Sequence, residues 1–103
     1  MKSPTTDVAS LVDLARTGDL EAYNQLVIIF QDRAVAYAYA HLSDFHNAQD
    51  AVQEAFVEAY QCLNNLNESV AFGAWLRRII FKHCDRHDGS EYQQSNGISQ
   101  VII

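Results

Sequence analysis

Proline and glycine are scarce in this chain, with one Pro (Pro4) and four Gly in 103 residues. So few turn residues cannot separate the many short strands of a sandwich or barrel, and the long apolar-periodic stretches are expected as helices. Cysteine is equally sparse: Cys62 and Cys84 stand far apart without C-x-x-C spacing, which argues against a disulfide framework. The longest apolar run, Ala34 to Ala40, falls far short of the roughly 20 residues a membrane span requires. No secretory-type apolar segment follows Met1-Lys2. A reduced, cytoplasmic protein without a membrane segment is the expectation.

Basic charge is also in short supply. Seven Lys and Arg face thirteen Asp and Glu, a net charge of −6, which disfavours a protein that simply coats phosphates. The distribution is uneven: residues 1–68 carry three basic and ten acidic side chains, whereas residues 69–88 carry four and two. Any nucleic-acid contact is therefore expected within 69–88.

What is present is helical periodicity. Thr6 or Asp7 can cap a first helix with Val8, Leu11, Val12 and Ala15 on one face, ended by Gly18. Asp19 caps a long second helix to about His41. One stripe of that helix holds Tyr23, Leu26, Val27, Phe30, Ala34, Tyr37 and Ala38, and another holds Ile28, Val35, Tyr39 and Leu42, which predicts a middle position in a bundle. Asn47, with Asp50 three residues on, resembles a cap for a third helix to about Leu63. Its small-residue stripe of Ala48, Ala51, Val52, Ala55, Ala59 and Leu63 allows close approach to a neighbour. Asn64 to Glu68 reads as a polar loop, and Ser69 as the cap of a fourth helix to about His87. The fold expected is all-α, a compact bundle of four helices over residues 1–88, with a flexible, linker-like tail at 89–103.

On a wheel of about 100° per residue the third helix points Asp50, Glu54, Val57, Glu58 and Gln61 outward. This is either a solvated acidic face or a docking face for a basic partner. The fourth helix turns Phe72, Trp75, Leu76, Ile79 and His83 inward and leaves Arg77, Arg78, Phe81 and Lys82 outward. Cations around an exposed ring suit single-stranded nucleic acid, where phosphates meet the charges and a base stacks on the ring. The same ring equally suits a contact to the tail or to another protein. His41, His46, His83 and His87 lack a completing cysteine or carboxylate set, so no metal is expected. Neither a phosphate loop nor a nucleophile elbow is present, and an enzyme is not expected.

Asn47-Ala48-Gln49-Asp50-Ala51-Val52-Gln53-Glu54-Ala55-Phe56-Val57-Glu58-Ala59-Tyr60, followed by Phe72-Gly73-Ala74-Trp75-Leu76-Arg77-Arg78-Ile79, resembles the region 2 domain of bacterial RNA polymerase sigma factors of the extracytoplasmic-function (ECF) group. Ala15 to Leu26 is similar to that family's opening helix pair. The resemblance implies that Asp50, Gln53 and Glu54 dock on the clamp of the largest subunit of core RNA polymerase. It further implies that the promoter's non-template strand is captured by Asn64, Asn65, Asn67 and Ser69 together with Arg77, Arg78, Phe81 and Lys82 as the duplex opens. A base would then flip out of its stack at a cost of a few kcal/mol. No cofactor is implied, and an anti-sigma factor is a further partner of such domains. Lys82-His83-Cys84-Asp85-Arg86-His87 is less basic than the family pattern, and the second, helix-turn-helix domain that family members usually carry is not found in these 103 residues. The alternative is a helical interaction module without DNA function, such as a decoy for an anti-sigma factor.

Overall fold

Four helices follow one another in the computed structural model, which describes residues 7–88: α1 (Val8–Arg16), α2 (Leu20–Leu42), α3 (Phe45–Gln61) and α4 (Phe72–Asp88). No strand occurs among the described residues. The tail expected at 89–103, and Thr6, lie outside them.

Gly18 and Asp19 act as the sequence predicts. Gly18 takes a left-handed φ of 102°, which glycine adopts without a Cβ clash. Its N–H donates to the Ala15 carbonyl (3.0 Å) and that of Asp19 to the Leu14 carbonyl (3.2 Å), the paired bonds of a Schellman close. The Asp19 carboxylate then accepts from the Ala22 N–H (3.1 Å) and starts α2. At α1 the expected side-chain cap is absent: Asp7 instead accepts from the Ser10 hydroxyl (2.7 Å).

Between α2 and α3 the break is shorter than the sequence suggests. Ser43 closes α2 in the left-handed region (φ 58°), and Asp44, not Asn47, caps α3 by accepting from the Asn47 N–H (2.9 Å). A single left-handed residue reverses the chain, so Phe45 and His46 already belong to the helix. A left-handed non-glycine residue is strained by roughly 1 kcal/mol. Ser43→Gly is therefore expected to stabilise the domain by about 0.5–1 kcal/mol, read as a rise in the urea midpoint; a fall would show that Ser43 contributes more than backbone shape.

α2 does occupy the middle, packed against α1, α3 and α4, but only half of the second stripe proposed for it takes part: Val35 and Leu42 pack against the core, Ile28 and Tyr39 do not. Ile28 is 74% exposed and Tyr39 48%. Ala22, Tyr23, Leu26, Ala34 and Ala38 are its buried residues, with Ile29 and Phe30 partly buried beside them. The small stripe of α3 is fully buried as expected, and its five residues from Ala48 to Ala59 let α2 and α4 approach closely. Phe56 joins that core, and the buried Tyr23 hydroxyl donates to the Phe56 carbonyl (2.5 Å). Burial, and then the neighbouring Tyr60, push the Tyr23 phenol well above its ordinary range.

α3 stops at Gln61, and Leu63–Asn65 forms a 3-10 turn. Leu63 is buried as its place in the α3 stripe implies, and Leu66 is buried too, so the segment read as a polar loop is pinned at an apolar point. Ser69 is not the cap of the fourth helix. Ser69–Ala71 is another 3-10 turn, the Ser69 hydroxyl donates to Asp13 of α1, and α4 begins at Phe72. The buried arc of α4 is Phe72, Leu76, Ile79, Ile80, His83 and Cys84, rotated from the arc expected, and Trp75 is only partly buried against Phe72.

Candidate functional site

α3 and α4 run side by side, and their facing polar residues close into one seam. The buried His83 of α4 directs Nδ1 to a Glu54 oxygen (3.2 Å) and Nε2 to a Glu58 oxygen (2.7 Å). His87, one turn on, reaches the same Glu54 oxygen through Nε2 (3.1 Å). Lys82 Nζ donates to the other Glu58 oxygen (2.5 Å). An i,i+4 pair of carboxylates on α3 thus meets an i,i+4 pair of histidines on α4. An imidazole facing two carboxylates donates to both only when both nitrogens carry protons.

The seam lowers both carboxyl pKa values. Burial acts to raise that of Glu54, but hydrogen bonds and charge from His87, and then from His83, outweigh it. For Glu58 the Lys82 hydrogen bond is the main cause, partly opposed by burial and helped by His83. A carboxyl whose pKa is depressed by folding adds stability above its unfolded value, near 4.5, and loses it as pH falls through the folded one. Stability should therefore drop as pH falls below about 4.5 and on through the lowered values of the folded state. Urea titrations of Glu58→Gln should show a shallower drop, and an identical acid profile for this variant would show that the seam contributes nothing to folding.

The residues expected to dock lie along this α3 face. Gln53 and Glu54 are exposed, and Asp50 is half-buried with His46 beside it at 3.7 Å. Val57 is 58% exposed next to them, and Gln53, Glu54, Val57, Glu58 and Gln61 line one open depression with His83 at its base. Glu58 is not simply outward, as the wheel placed it; it is half-buried and held from α4. The wheel treats each helix alone and cannot show that a neighbour overhangs one edge.

Of the residues expected to meet a single strand, Arg77, Arg78 and Phe81 share the exposed side of α4, Phe81 being 48% exposed. Lys82 is exposed too but leans to Glu58, away from that arc. The Phe81 ring has a neighbour that the sequence reading missed, His41 of α2, in an edge contact at 5.3 Å. Asn64, Asn65 and Asn67 are exposed in the segment between α3 and α4, whereas Ser69 is half-buried on Asp13. The i,i+4 spacing of His83 and His87 does not serve a metal. Set beside the equal spacing of Glu54 and Glu58, it is the signature of the seam. Among the described residues no group of His, Cys, Asp and Glu is arranged to hold a metal ion, and no helix is long and apolar enough to cross a membrane.

Comparison with known proteins places this arrangement. Residues 26–87 match the sigma-70 region 2 family. The RNA polymerase sigma-H factor of Pseudomonas aeruginosa is 35% identical over 77 residues, 75% of this chain and 40% of that protein. The ECF RNA polymerase sigma-E factor of Escherichia coli is 35% identical over 67% of this chain and 36% of its own length. The ECF sigma factor SigW of Bacillus subtilis is 34% identical over 62% of this chain and 34% of its own length. The chain thus matches well under half of each of these relatives. The NMR structure of an engineered region 2 of sigmaE in complex with GTAAAA superposes with a TM-score of 0.79, at 26% identity, covering 90% of this chain and 97% of that one. With the family pattern running from the first third of α2 through α4, and the fold shared over 90% of the chain, the chain belongs to the sigma-70 region 2 family.

Proposed function

We propose that this domain docks on core RNA polymerase through α3 and holds the non-template strand of the upstream (−10) promoter element on α4, so that the duplex opens there. The observation that carries this reading is the pairing of two exposed faces on adjacent helices: acidic Asp50 and Glu54 with Gln53 on α3, and Arg77, Arg78 and Phe81 on α4. Acidic groups on α3 suit a basic partner surface. Cations around an exposed ring suit an unpaired strand. The similar structure, an engineered region 2 of sigmaE in complex with GTAAAA, supports placing a nucleic acid on this fold.

In this reading the domain does no chemistry, uses no cofactor and works where the polymerase does, in the cytoplasm. Asn64, Asn65, Asn67 and Ser69 border the strand, and Lys82 serves it only by leaving Glu58. An anti-sigma factor would act by covering the same α3 face.

A second reading follows from the net charge of −6 and from Lys82 being engaged by Glu58: an interaction module that docks without holding DNA. One experiment separates them. Purified core polymerase is titrated with the chain, and the complex is then offered a labelled single strand carrying promoter sequence. Binding in both steps supports the first reading; docking without strand binding supports the second; failure to dock removes the first and leaves the second as a decoy for an anti-sigma factor.

A further inference from the structure

Histidines stand behind the carboxylates of the α3 face. Of the four in the chain, His46 lies 3.7 Å from Asp50, and His83 and His87 of α4 both reach one oxygen of Glu54, at 3.2 and 3.1 Å. The other Glu54 oxygen makes no hydrogen bond or ion pair among the described residues, and the side chain is 45% exposed. Glu54 is thus tethered from α4 and open to a partner in front. A cation that approaches it comes close to both imidazoles.

The charge on this face depends on those rings. Three carboxylates, Asp50, Glu54 and Glu58, stand against one ammonium, Lys82. Two negative charges are uncompensated while the imidazoles are neutral, and three protonated imidazoles outnumber them. Histidine is the side chain that ordinarily changes charge between about pH 5 and 8. Glu54 and Glu58 stay ionised through that range, since both carboxyl pKa values lie below the ordinary one. Other elements do not offset the change. α1, α2 and the Ser69–Ala71 turn also pack on α4, yet among the described residues none of their titratable groups bonds to His83 or His87. His41 of α2 is turned to Tyr37 and Phe81. On α4 itself Cys84 is buried in the core, while Asp85 and Arg86 are exposed and opposite in sign. Asp44, two residues before His46, caps α3 through the Asn47 N–H.

We propose that the α3 docking face is proton-gated: uptake of protons by His46, His83 and His87 turns it from acidic to basic, so that its basic partner is held near about pH 8 and released toward about pH 6. This rests on the reading that α3 docks on core RNA polymerase. It adds a control that the α3 motif does not contain, since two of the three histidines come from α4. Protonation acts twice with one sign. It removes the negative potential that draws a basic surface. It also makes each ring a charged donor through both nitrogens, so a partner's cation competes for Glu54 with charge-assisted hydrogen bonds. Docking in turn expels protons, and affinity rises with pH.

The test is a titration of purified core polymerase with the labelled full chain at about pH 6, 7 and 8 and constant ionic strength, with circular dichroism at each pH. The parent should bind about tenfold more weakly at the lowest pH, as expulsion of about half a proton over two pH units requires. His46→Gln with His87→Gln leaves an amide N–H within reach of each carboxylate but no titrating charge, and should cut that loss to about threefold or less. His87→Lys fixes a cation beside Glu54 and should weaken binding about tenfold at the highest pH, where the parent binds best. Opposite effects of two substitutions at one position are not what lost packing produces. His46 is exposed and His87 half-buried, so both variants keep the core, and the buried His83 is left in place. If the parent binds equally at all three pH values, or the glutamine variant keeps the parent's profile, the gate is overturned while docking stands. If the parent binds at no pH, the docking reading falls and the gate with it.

Discussion

Charge reversal on α3 should abolish most of the affinity for core RNA polymerase. Removing one partner of a desolvated, hydrogen-bonded charge pair costs about 2–5 kcal/mol, about thirtyfold to a few thousandfold in affinity, and reversal adds repulsion. Asp50→Lys is the cleaner variant, because the only partner of Asp50 among the described residues is the exposed His46 at 3.7 Å. Glu54→Lys should have the larger effect but acts twice. It alters the docking face and also sets a cation against His83 and His87, which the carboxylate now holds. Circular dichroism and a thermal melt must accompany the titration, and retained helix content is expected for both variants. If both bind polymerase as tightly as the parent, the α3 docking assignment is wrong. His83 and His87 also bear on a cost visible in the sequence. Two carboxylates at i,i+4 repel by a few tenths of a kcal/mol on an isolated helix. Within the bundle, Glu54 has hydrogen-bonding partners in His83 and His87 of α4, and His46 lies 3.7 Å from Asp50, so neither carboxylate stands alone before any partner arrives.

Joint replacement of Arg78 and Phe81 by Ala should weaken single-strand binding tenfold to several hundredfold and leave polymerase docking intact. One stacked base is worth about 1–3 kcal/mol, and each lost phosphate contact shows as a salt slope shallower by about 0.7. Both side chains are exposed and neither belongs to the core, so the fold should not respond. Open-complex formation on a promoter fragment, followed by the reactivity of unpaired thymines, is the functional counterpart. Normal opening by the double variant would count against the α4 face and in favour of the docking-only module. Lys82→Ala should do less to DNA than either of these, since its ammonium sits 2.5 Å from Glu58. Its loss should show mainly as stability.

Much of this was legible in the chain before folding. Helix number, the Gly18–Asp19 junction, the small-residue stripe of α3 and the exposed cations of α4 follow from local rules: backbone freedom at glycine, a carboxylate accepting from free N–H groups, and a 3.6-residue period. Such rules act within a few residues, so the sequence contains them whole. The motif in α3 and α4 also placed the chain in its family, because spacing within a helix is a local quantity. What the sequence misplaced was decided between elements. Ser69 looks like a cap and is instead a partner of Asp13, 56 residues away along the chain. Ile28 and Tyr39 look like core and are exposed, because three neighbours do not encircle a central helix. Glu58 and Lys82 look like members of separate faces and join each other across the α3–α4 seam. The face that gathers His46, His83 and His87 beside three carboxylates exists only once α4 lies beside α3. Sequence periodicity determined which side of each helix is apolar; only packing decided which polar groups on different helices meet, since that depends on the rotation and offset of one helix against another, and neither is a property of a single segment.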